Sequence, residues 1–426
     1  MSDDVMGWTT APRKASWLNE RARGRVEAAL RTIDEGELVI SSEAPRVSFR
    51  GSRPGPYGSV QVVDPRTWNA LAYRGVLGGA EAYMNGWWRS DDLVGVIRVL
   101  AQNAGAFGGL EQGSGWLRPW LRLFHRLRDN DRSGSRRNIE AHYDLGNDFF
   151  ATFLDETLTY SSALFDRPDM TLEAAQTAKY ERLCRKLDLR PSHHLLEIGT
   201  GWGGFALHAA RTRGCRVTTT TISREQFALA RERIAQAGLA DRVEVLLEDY
   251  RDLRGRFDRL VSIEMIEAVG HRHLPRFFEV CANRLEANGA MALQAILVPE
   301  QTWESSKKSV DFIKRYIFPG GQLVGLGAIS QAMTNTALRL VHYEDITPHY
   351  AETLRRWRDR FLASRPAITA LGMDDRFFRT WEFYLAYCEG AFHERVNLAA
   401  QLVFENGGAR SRSILGALER EAEQAA

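Results

Sequence analysis

The stretch Leu195-Leu196-Glu197-Ile198-Gly199-Thr200-Gly201-Trp202-Gly203-Gly204 decides the fold of this chain. It places a glycine-rich turn between a short apolar run at 194–198 and a helical pattern at 205–213. A strand that ends in such a turn lets a ligand approach the bare backbone. Glu197 is unusual in a strand that is buried on both faces, so we expect it near the ligand crevice. The glycines that leave the backbone open are Gly199, Gly201 and Gly203. The alternative interpretation is a tight strand-to-helix turn without a ligand.

The composition excludes several classes of protein. The chain has 426 residues, 44% apolar and 26% charged, which is typical of a globular protein with room for two domains. Its formal net charge of +2 gives no overall attraction to nucleic acid. The 4 cysteines show neither disulfide nor metal-site spacing, which is typical of a reducing cytoplasm and predicts no metal. We find no apolar run of about twenty residues, and expect a cytoplasmic protein, peripheral to the inner face of the membrane.

Three segments of the chain differ in pattern. Residues 1–110 contain short strand-like runs at 37–40 and 58–63 and a helical pattern over 78–103, which predicts a smaller N-terminal α+β domain. Residues 111–137 form a predicted linker with an amphipathic helix, in which tryptophans and arginines alternate at helical spacing. That helix either lies at an anionic lipid surface or packs between two domains.

Residues 138–426 alternate strands with helices, which predicts a mostly parallel sheet. We therefore expect an α/β fold: a seven-stranded Rossmann-like domain with helical, aromatic-rich lid insertions at 307–332 and 350–392. The helix at 223–237 opens with a capping box formed by Ser223 and Gln226. The predicted strands span 194–198, 216–220, 243–247, 257–263, 290–296, 338–344 and 398–404.

Polar side chains follow four successive predicted strands. In an open α/β sheet the ligand lies outside the carboxyl ends of the strands, so these groups are expected to converge. A cationic sulfonium with a ribose and an adenine needs such acceptors, polar groups and aromatic rings. Besides Glu197 and the glycines, the groups are Thr221, Ile222, Gln226, Asp249, Tyr250, Glu264 and Glu267. The turn itself resembles the E-x-G-x-G turn of S-adenosylmethionine-dependent methyltransferases, and we predict S-adenosylmethionine as the cofactor.

Four blocks, at 142–150, 158–163, 261–270 and 315–321, resemble the cyclopropane fatty acid synthase family in order and spacing. This resemblance covers nearly the whole chain. It implies methyl transfer to the double bond of an unsaturated phospholipid acyl chain at the membrane surface. It also implies that Tyr143, Tyr160 and Ser161 cover the cofactor. The N-terminal domain would then grip lipid or a second subunit, so a homodimer is a candidate assembly.

The cyclopropane-forming members of that family hold a bicarbonate ion with a Cys, a Glu, a His and a Tyr. By resemblance, Glu267 and Tyr350 retain two of these positions in this chain. Ser162 stands at the Cys position and Gln294 at the His position. An amide cannot accept or shuttle a proton near neutral pH. Because Gln294 replaces the His, the sequence does not decide whether this chain binds bicarbonate.

Methyl transfer to an alkene leaves a carbocation that must lose a proton. Loss from the new methyl group closes a cyclopropane ring, whereas a hydride shift before proton loss gives a methylene branch, which a separate reductase could convert to a methyl branch. Glu264 stands where the resemblance predicts glycine, and we hypothesise that it supplies a carboxylate near the cation. The alternative is a glutamate that only caps a helix or pairs with an arginine.

The missing His favours the branched product over the ring. Two other functions stay open at this stage. One is methylation of a soluble or carrier-bound acyl substrate, and the other is a non-catalytic homologue that binds cofactor or lipid.

Overall fold

A computed structural model describes residues 17–42, 46–107 and 145–410. The chain divides into two compact units, the first built from Met1–Pro119 with Asp374–Phe383 and the second from Trp120–Met373 with Tyr384–Ala426. The predicted cofactor residue Tyr143 and the predicted amphipathic helix lie outside the described residues. The functions predicted for the linker and the N-terminal domain stay predictions.

The first unit contains a four-stranded sheet in the order β2-β1-β3-β4. Strands β1 and β3 are parallel, while β2 and β4 pair antiparallel with β1 and β3. One helix precedes the last strand, β4, in the sequence, and another helix follows it. The elements are α1 (Trp17–Leu30), β1 (Glu35–Ser41), β2 (Val47–Arg50), β3 (Arg53–Val62), α2 (Arg66–Met84), β4 (Trp88–Arg89) and α3 (Leu93–Gln102).

The helical pattern predicted over 78–103, with a cap at 90–92 before Leu93, corresponds to two helices separated by a short strand. Helix α2 ends at Met84, because Gly86 takes a left-handed φ of 70° and turns the chain into β4. Helix α3 then begins after Asp92, whose side chain accepts a hydrogen bond from the Gly95 amide at 2.8 Å. The capping residue was visible in the sequence, but the two-residue strand between the helices was not.

The second unit contains the sheet that carries the site. Its strand order is β10-β11-β9-β8-β5-β6-β7, and all neighbours are parallel except that β11 runs antiparallel to β9 and β10. This confirms the predicted mostly parallel, seven-stranded Rossmann-like sheet. The strands are β5 (His194–Ile198), β6 (Arg216–Thr221), β7 (Val243–Leu247), β8 (Phe257–Ile263), β9 (Leu285–Leu297), β10 (Arg339–Asp345) and β11 (Leu398–Glu405).

Helices pack against the strands of this sheet. Two apolar clusters, one around Leu260 and Phe277 and one around Leu195 and Phe205, are buried and hold the helices to the sheet. The helices are α4 (Asn147–Ala151), α5 (Leu172–Lys186), α6 (Gly204–Arg213), α7 (Arg224–Gln236), α8 (Leu274–Arg284), α9 (Glu300–Lys308), α10 (Leu326–Ala332), α11 (Thr347–Ala363), α12 (Arg365–Ala370) and α13 (Asp375–His393). Helix α13 passes from the first unit into the second.

The predicted lid insertions are helical but interrupted. A five-residue π-helix, Ile313–Ile317, lies between α9 and α10. In the residues that the structure describes, no helix combines the length and apolar character needed to cross a bilayer.

Candidate active site

The glycine turn follows β5 and leads into α6. Gly199, Gly201 and Gly203 have φ values of 103°, 51° and 85°, in the left-handed region that favours glycine. A Cβ atom built on Gly201 meets no heavy atom within 4 Å, whereas one on Gly199 would lie 3.3 Å from the Met265 side chain. The backbone at Gly201 therefore borders open space, which is what a cofactor laid against the turn requires.

Glu197 lies in β5, just before this turn, and is 2% exposed. Its Oε2 atom accepts a hydrogen bond from Thr219 Oγ1 at 2.7 Å. Burial raises the pKa of Glu197 to about 8, although the Thr219 hydroxyl and the charge of Lys179 both lower it. The predicted location of Glu197 beside the crevice is consistent with this geometry.

The predicted groups after β6 contact each other. Thr221 Oγ1 donates to Gln226 Oε1 at 2.9 Å and accepts from the Ser223 amide at 3.1 Å. Ser223 caps α7 through its hydroxyl, which accepts from the Gln226 amide at 3.3 Å. Ile222 is half-buried next to them. This local network fixes the end of β6 at the same sheet edge as the glycine turn.

The groups after β7 differ from the expectation in their partners. The Asp249 carboxylate pairs with Arg251 at 2.6 Å, and both side chains are largely buried. The Tyr250 ring lies 5.5 Å from that of Phe277, edge to face, and burial raises the pKa of Tyr250 to about 12. Both residues stand at the predicted strand end, but Asp249 has a charged partner within the chain.

Glu264 directly follows β8 and is the centre of a network of hydrogen bonds. Its Oε1 atom accepts from the Ser162 amide at 2.9 Å and from Gln294 Nε2 at 2.8 Å. Its Oε2 atom accepts from the Tyr350 hydroxyl at 2.6 Å. These partners come from a loop, from β9 and from α11. The structure thus brings together four of the five predicted catalytic residues, and no partner of Glu264 among the described residues is an arginine.

The backbone and the charge of Glu264 are both unusual. Its φ of 49° lies in the left-handed region, which agrees with the expectation that glycine is the ordinary residue here. Burial raises the pKa of its carboxyl, while the bonds from Tyr350, Gln294 and Ser162 and the charge of Lys179 lower it. Three donors that converge on two oxygens favour the ionised form.

Glu267, the fifth predicted residue, lies nearby but has a different environment. Its Oε1 atom accepts from the Ile296 amide at 2.6 Å, and its buried Oε2 atom finds no hydrogen-bond partner among the described residues. Burial and the charge of Glu264 raise the pKa of Glu267 to about 8. The environments therefore separate the two acids, with Glu264 the better held carboxylate and Glu267 the better held neutral acid.

The loop before α5 carries two of the predicted cofactor residues. The Tyr160 hydroxyl lies 2.8 Å from that of Tyr384, and its ring packs 5.3 Å from those of Phe150 and Trp357. Ser161 Oγ accepts from Lys179 Nζ at 2.8 Å.

Lys179 was missed in the sequence. It is fully buried in α5, and its ammonium lies near Glu264, Asp155 and Glu197, which raise its pKa. Burial has the larger effect and lowers the pKa of Lys179 to about 8. A lone lysine in a helical pattern gives no sign that it is buried, because its carboxylate neighbours are distant in the chain.

These residues fit S-adenosylmethionine by their chemistry. The open backbone at Gly201 allows close approach, and the oxygen atoms of acidic side chains at two strand ends are acceptors that suit a sulfonium cation. The sheet order and this turn define the class of S-adenosylmethionine-dependent methyltransferases.

Comparison with known proteins agrees with this class of methyltransferases and identifies a family within it. The family model described as mycolic acid cyclopropane synthetase matches residues 130–402. The tuberculostearic acid methyltransferase UfaA1 of Mycobacterium tuberculosis is 44% identical over 76% of this chain and 78% of its own. The cyclopropane-fatty-acyl-phospholipid synthase of Escherichia coli K12 is 36% identical over 85% and 90%. The chain belongs to the cyclopropane fatty acid synthase family.

A solved structure extends this agreement to the fold. Mycolic acid cyclopropane synthase CmaA1, complexed with SAH and CTAB, is 30% identical and covers 64% of this chain and 98% of its own, with a TM-score of 0.60. The protein is therefore an S-adenosylmethionine-dependent methyltransferase, as predicted, and S-adenosylmethionine is its cofactor. The roles of individual residues stay predictions.

Proposed function

We propose that this enzyme methylates the cis double bond of an unsaturated phospholipid acyl chain, and that Glu264 takes the proton that the resulting carbocation loses. The cofactor supplies an electrophilic methyl group. The two π electrons of the double bond form the new carbon–carbon bond and leave a cation on the neighbouring chain carbon. The observation that carries the proposal is the buried Glu264 carboxylate, held by Ser162, Gln294 and Tyr350.

The order of hydride shift and proton loss decides the product. If Glu264 takes a proton from the new methyl group, the released C–H electrons close a cyclopropane ring. If a hydride shifts first from the carbon that carries the methyl group, proton loss from that methyl group gives a methylene branch, and a separate reductase would convert it to a methyl branch. We favour the branched product, because Gln294 stands where, by resemblance, cyclopropane formers have a His, and an amide cannot accept or shuttle a proton near neutral pH.

The donor set around Glu264 also bears on bicarbonate. Ser162, Gln294 and Tyr350 stand at three of the four positions that, by resemblance, hold bicarbonate in cyclopropane formers. In this chain the Ser162 backbone amide and the side chains of Gln294 and Tyr350 donate to the Glu264 carboxylate, while the Ser162 hydroxyl donates to the Ala163 carbonyl oxygen. We infer that Glu264 takes the place of the ion, and that bicarbonate is not required for turnover.

An aromatic wall supports carbocation chemistry. The Tyr160 ring lies 5.3 Å from Trp357 and 6.3 Å from Phe318, and Tyr384 packs against Phe318 at 6.1 Å. Aromatic faces stabilise cations, and a wall of rings excludes water that would otherwise add to the carbocation. A long acyl chain gains about 0.8 kcal/mol for each methylene group that such a wall buries.

The choice of a phospholipid rests on the relatives. The names tuberculostearic acid methyltransferase and cyclopropane-fatty-acyl-phospholipid synthase both denote lipid chemistry, and they leave the product of this chain open. Association with the membrane surface, a reductase partner and a homodimer belong to the proposal.

The test is the lipid product of purified enzyme with labelled S-adenosylmethionine and vesicles of unsaturated phospholipid. We expect a methylene-branched fatty ester in the mass spectrum, formed at the same rate after bicarbonate is removed. Because a positioned base contributes about 10²–10⁴ to rate, Glu264→Gln should lose at least that lower factor while still binding cofactor. An unchanged rate and product in Glu264→Gln would remove Glu264 from the mechanism. If the label appears only on a soluble or carrier-bound acyl substrate, that substrate and not a phospholipid is the methyl acceptor.

A further inference from the structure

A line of buried side chains runs from Glu264 across neighbouring strands. Gln294 on β9 accepts at Oε1 from Gln401 Nε2 on β11, at 2.9 Å, and the two residues are register partners. Gln401 Oε1 in turn accepts from Lys186 Nζ, at the end of α5, at 2.8 Å. Both glutamines are 0% exposed and Lys186 is 4% exposed. We call this series the amide line; its members are Glu264, Gln294, Gln401 and Lys186.

The lysine fixes the direction of every hydrogen bond in the amide line. An ammonium group only donates, so Gln401 must turn its carbonyl oxygen toward Lys186 and its NH₂ group toward Gln294. Gln294 must then accept from Gln401 and present its own NH₂ group to Glu264, at 2.8 Å. The Ser162 carbonyl oxygen also accepts from Gln294 Nε2, at 3.1 Å, and favours the same orientation.

The outer end of the amide line carries its own counter-ion. Lys186 donates to Glu344, which also pairs with Arg182. Burial lowers the pKa of Lys186 to about 8, but Glu344 opposes this shift, so the lysine is charged at neutral pH. His342 on β10 also lies near Lys186 and Glu344, and burial lowers the pKa of its imidazole.

We propose that Gln401 and Lys186 are positioning residues, which hold the Gln294 amide so that a donor and not a carbonyl oxygen faces Glu264. The inference rests on the proposed function in that Glu264 is the base. A carbonyl oxygen against the carboxylate would favour the protonated acid, and a protonated Glu264 cannot take the proton from the carbocation. The other titratable groups around Glu264 are Tyr350, Lys179, Glu267 and Tyr384. None of them lies on the amide line.

Gln401→Glu reverses the line with almost no change of shape. A glutamate at this position pairs with Lys186 but can only accept from Gln294. Gln294 must then turn its NH₂ group to residue 401 and its oxygen to Glu264. Arg182→Met is the matched control, because it makes the charge beside Lys186 more negative by one unit but leaves the Lys186–Gln401 and Gln401–Gln294 hydrogen bonds in place.

The measurement is the titration of the Glu264 carboxylate by infrared spectroscopy of the full-length protein, assigned by subtracting the Glu264→Gln spectrum. We expect Gln401→Glu to raise the midpoint by about one pH unit or more and Arg182→Met to raise it clearly less. The acid limb of the pH–rate profile should move with the midpoint, while KM for S-adenosylmethionine stays the same.

Equal shifts in the two variants would mean that charge alone acts, and this outcome would overturn the proposal. An unshifted midpoint in folded Gln401→Glu would also overturn it. If that variant does not fold, Gln401→Met replaces it, since loss of the bond to Gln294 should again raise the midpoint, and an unchanged midpoint contradicts the inference. Because the infrared titration needs no turnover, failure of the proposed methyl transfer would be seen separately, as a wild-type protein that labels no lipid.

Discussion

At the scale of single residues, Glu264 combines an unfavourable backbone with a fully bonded side chain. A non-glycine residue with a φ of 49° costs about 1–2 kcal/mol. Strain of this size persists where other contacts determine the conformation, and at Glu264 the hydrogen bonds to its carboxylate do so. The side chain is therefore kept at a position where glycine would be the more stable backbone, which is consistent with a role in chemistry.

Glu264→Gly should separate the backbone from the carboxylate. We expect loss of methyl transfer, partly restored by added bicarbonate or formate, because the donors from Ser162, Gln294 and Tyr350 remain and a small carboxylate can occupy the space. Glu264→Gln is the matched control, since its amide fills the same space and should resist rescue. The measurement is product formation against added anion. Equal responses of the two variants to the anions would refute the interpretation.

Some of these residues could be predicted from the sequence and others could not. Glu264 and Glu267 follow a predicted strand, so their place at the carboxyl edge was accessible from the pattern alone. Lys179 and Gln401 were not, because their partners are distant in the chain. Gln401 stands in a strand that is apolar apart from its last residue, Glu405, and only the register of β9 against β11 places it opposite Gln294.

At the scale of elements, the glycine turn joins β5 to α6, and its glycines differ in the space around them. Gly201 borders open space, whereas a Cβ on Gly204 would lie 2.5 Å from the Tyr180 hydroxyl. The first position is therefore the predicted place of contact with the cofactor, and the second faces the packed core. The sequence predicted this turn because glycines and apolar runs are local signals. It predicted the cap of α3 but not the strand between α2 and α3, which depends on a short pairing of β4 with β3.

Gly201→Ala and Gly204→Ala should consequently fail in different ways. We expect Gly201→Ala to cost about 1–2 kcal/mol of stability, for its left-handed φ, and to weaken S-adenosylmethionine binding at least tenfold. Gly204→Ala should lower stability by about 1–3 kcal/mol through overpacking and leave affinity in the folded protein nearly unchanged. Calorimetric titration with the cofactor and thermal unfolding measure the two effects. Cofactor affinity that is as strong in Gly201→Ala as in the wild type would place the cofactor elsewhere.

At the scale of the whole molecule, the net charge of +2 does not reveal several buried ionisable groups in the second unit. Burial raises the pKa of Glu197 and Glu267 to about 8 and lowers the pKa of Lys179 and Lys186 to about 8. A fold organised only for stability would avoid such groups, because each one disfavours its own charged form. Their presence at one sheet edge makes the stability of the protein depend on pH.

Glu267→Gln should expose this dependence. The folded protein holds the proton of Glu267 up to a pKa of about 8, whereas the unfolded chain releases it near the ordinary value of 4.5. The folded state thus binds more protons between these values, so the contribution of Glu267 lowers the free energy of unfolding as pH rises from about 5 to 8. The slope is about 1.4 kcal/mol per pH unit inside that window, a few kcal/mol in all.

The neutral glutamine cannot titrate, so the variant should lose this slope while Glu197 contributes equally to both proteins. Urea unfolding at a series of pH values gives the comparison, and parallel stability curves for the two proteins would show that Glu267 is ionised in the fold.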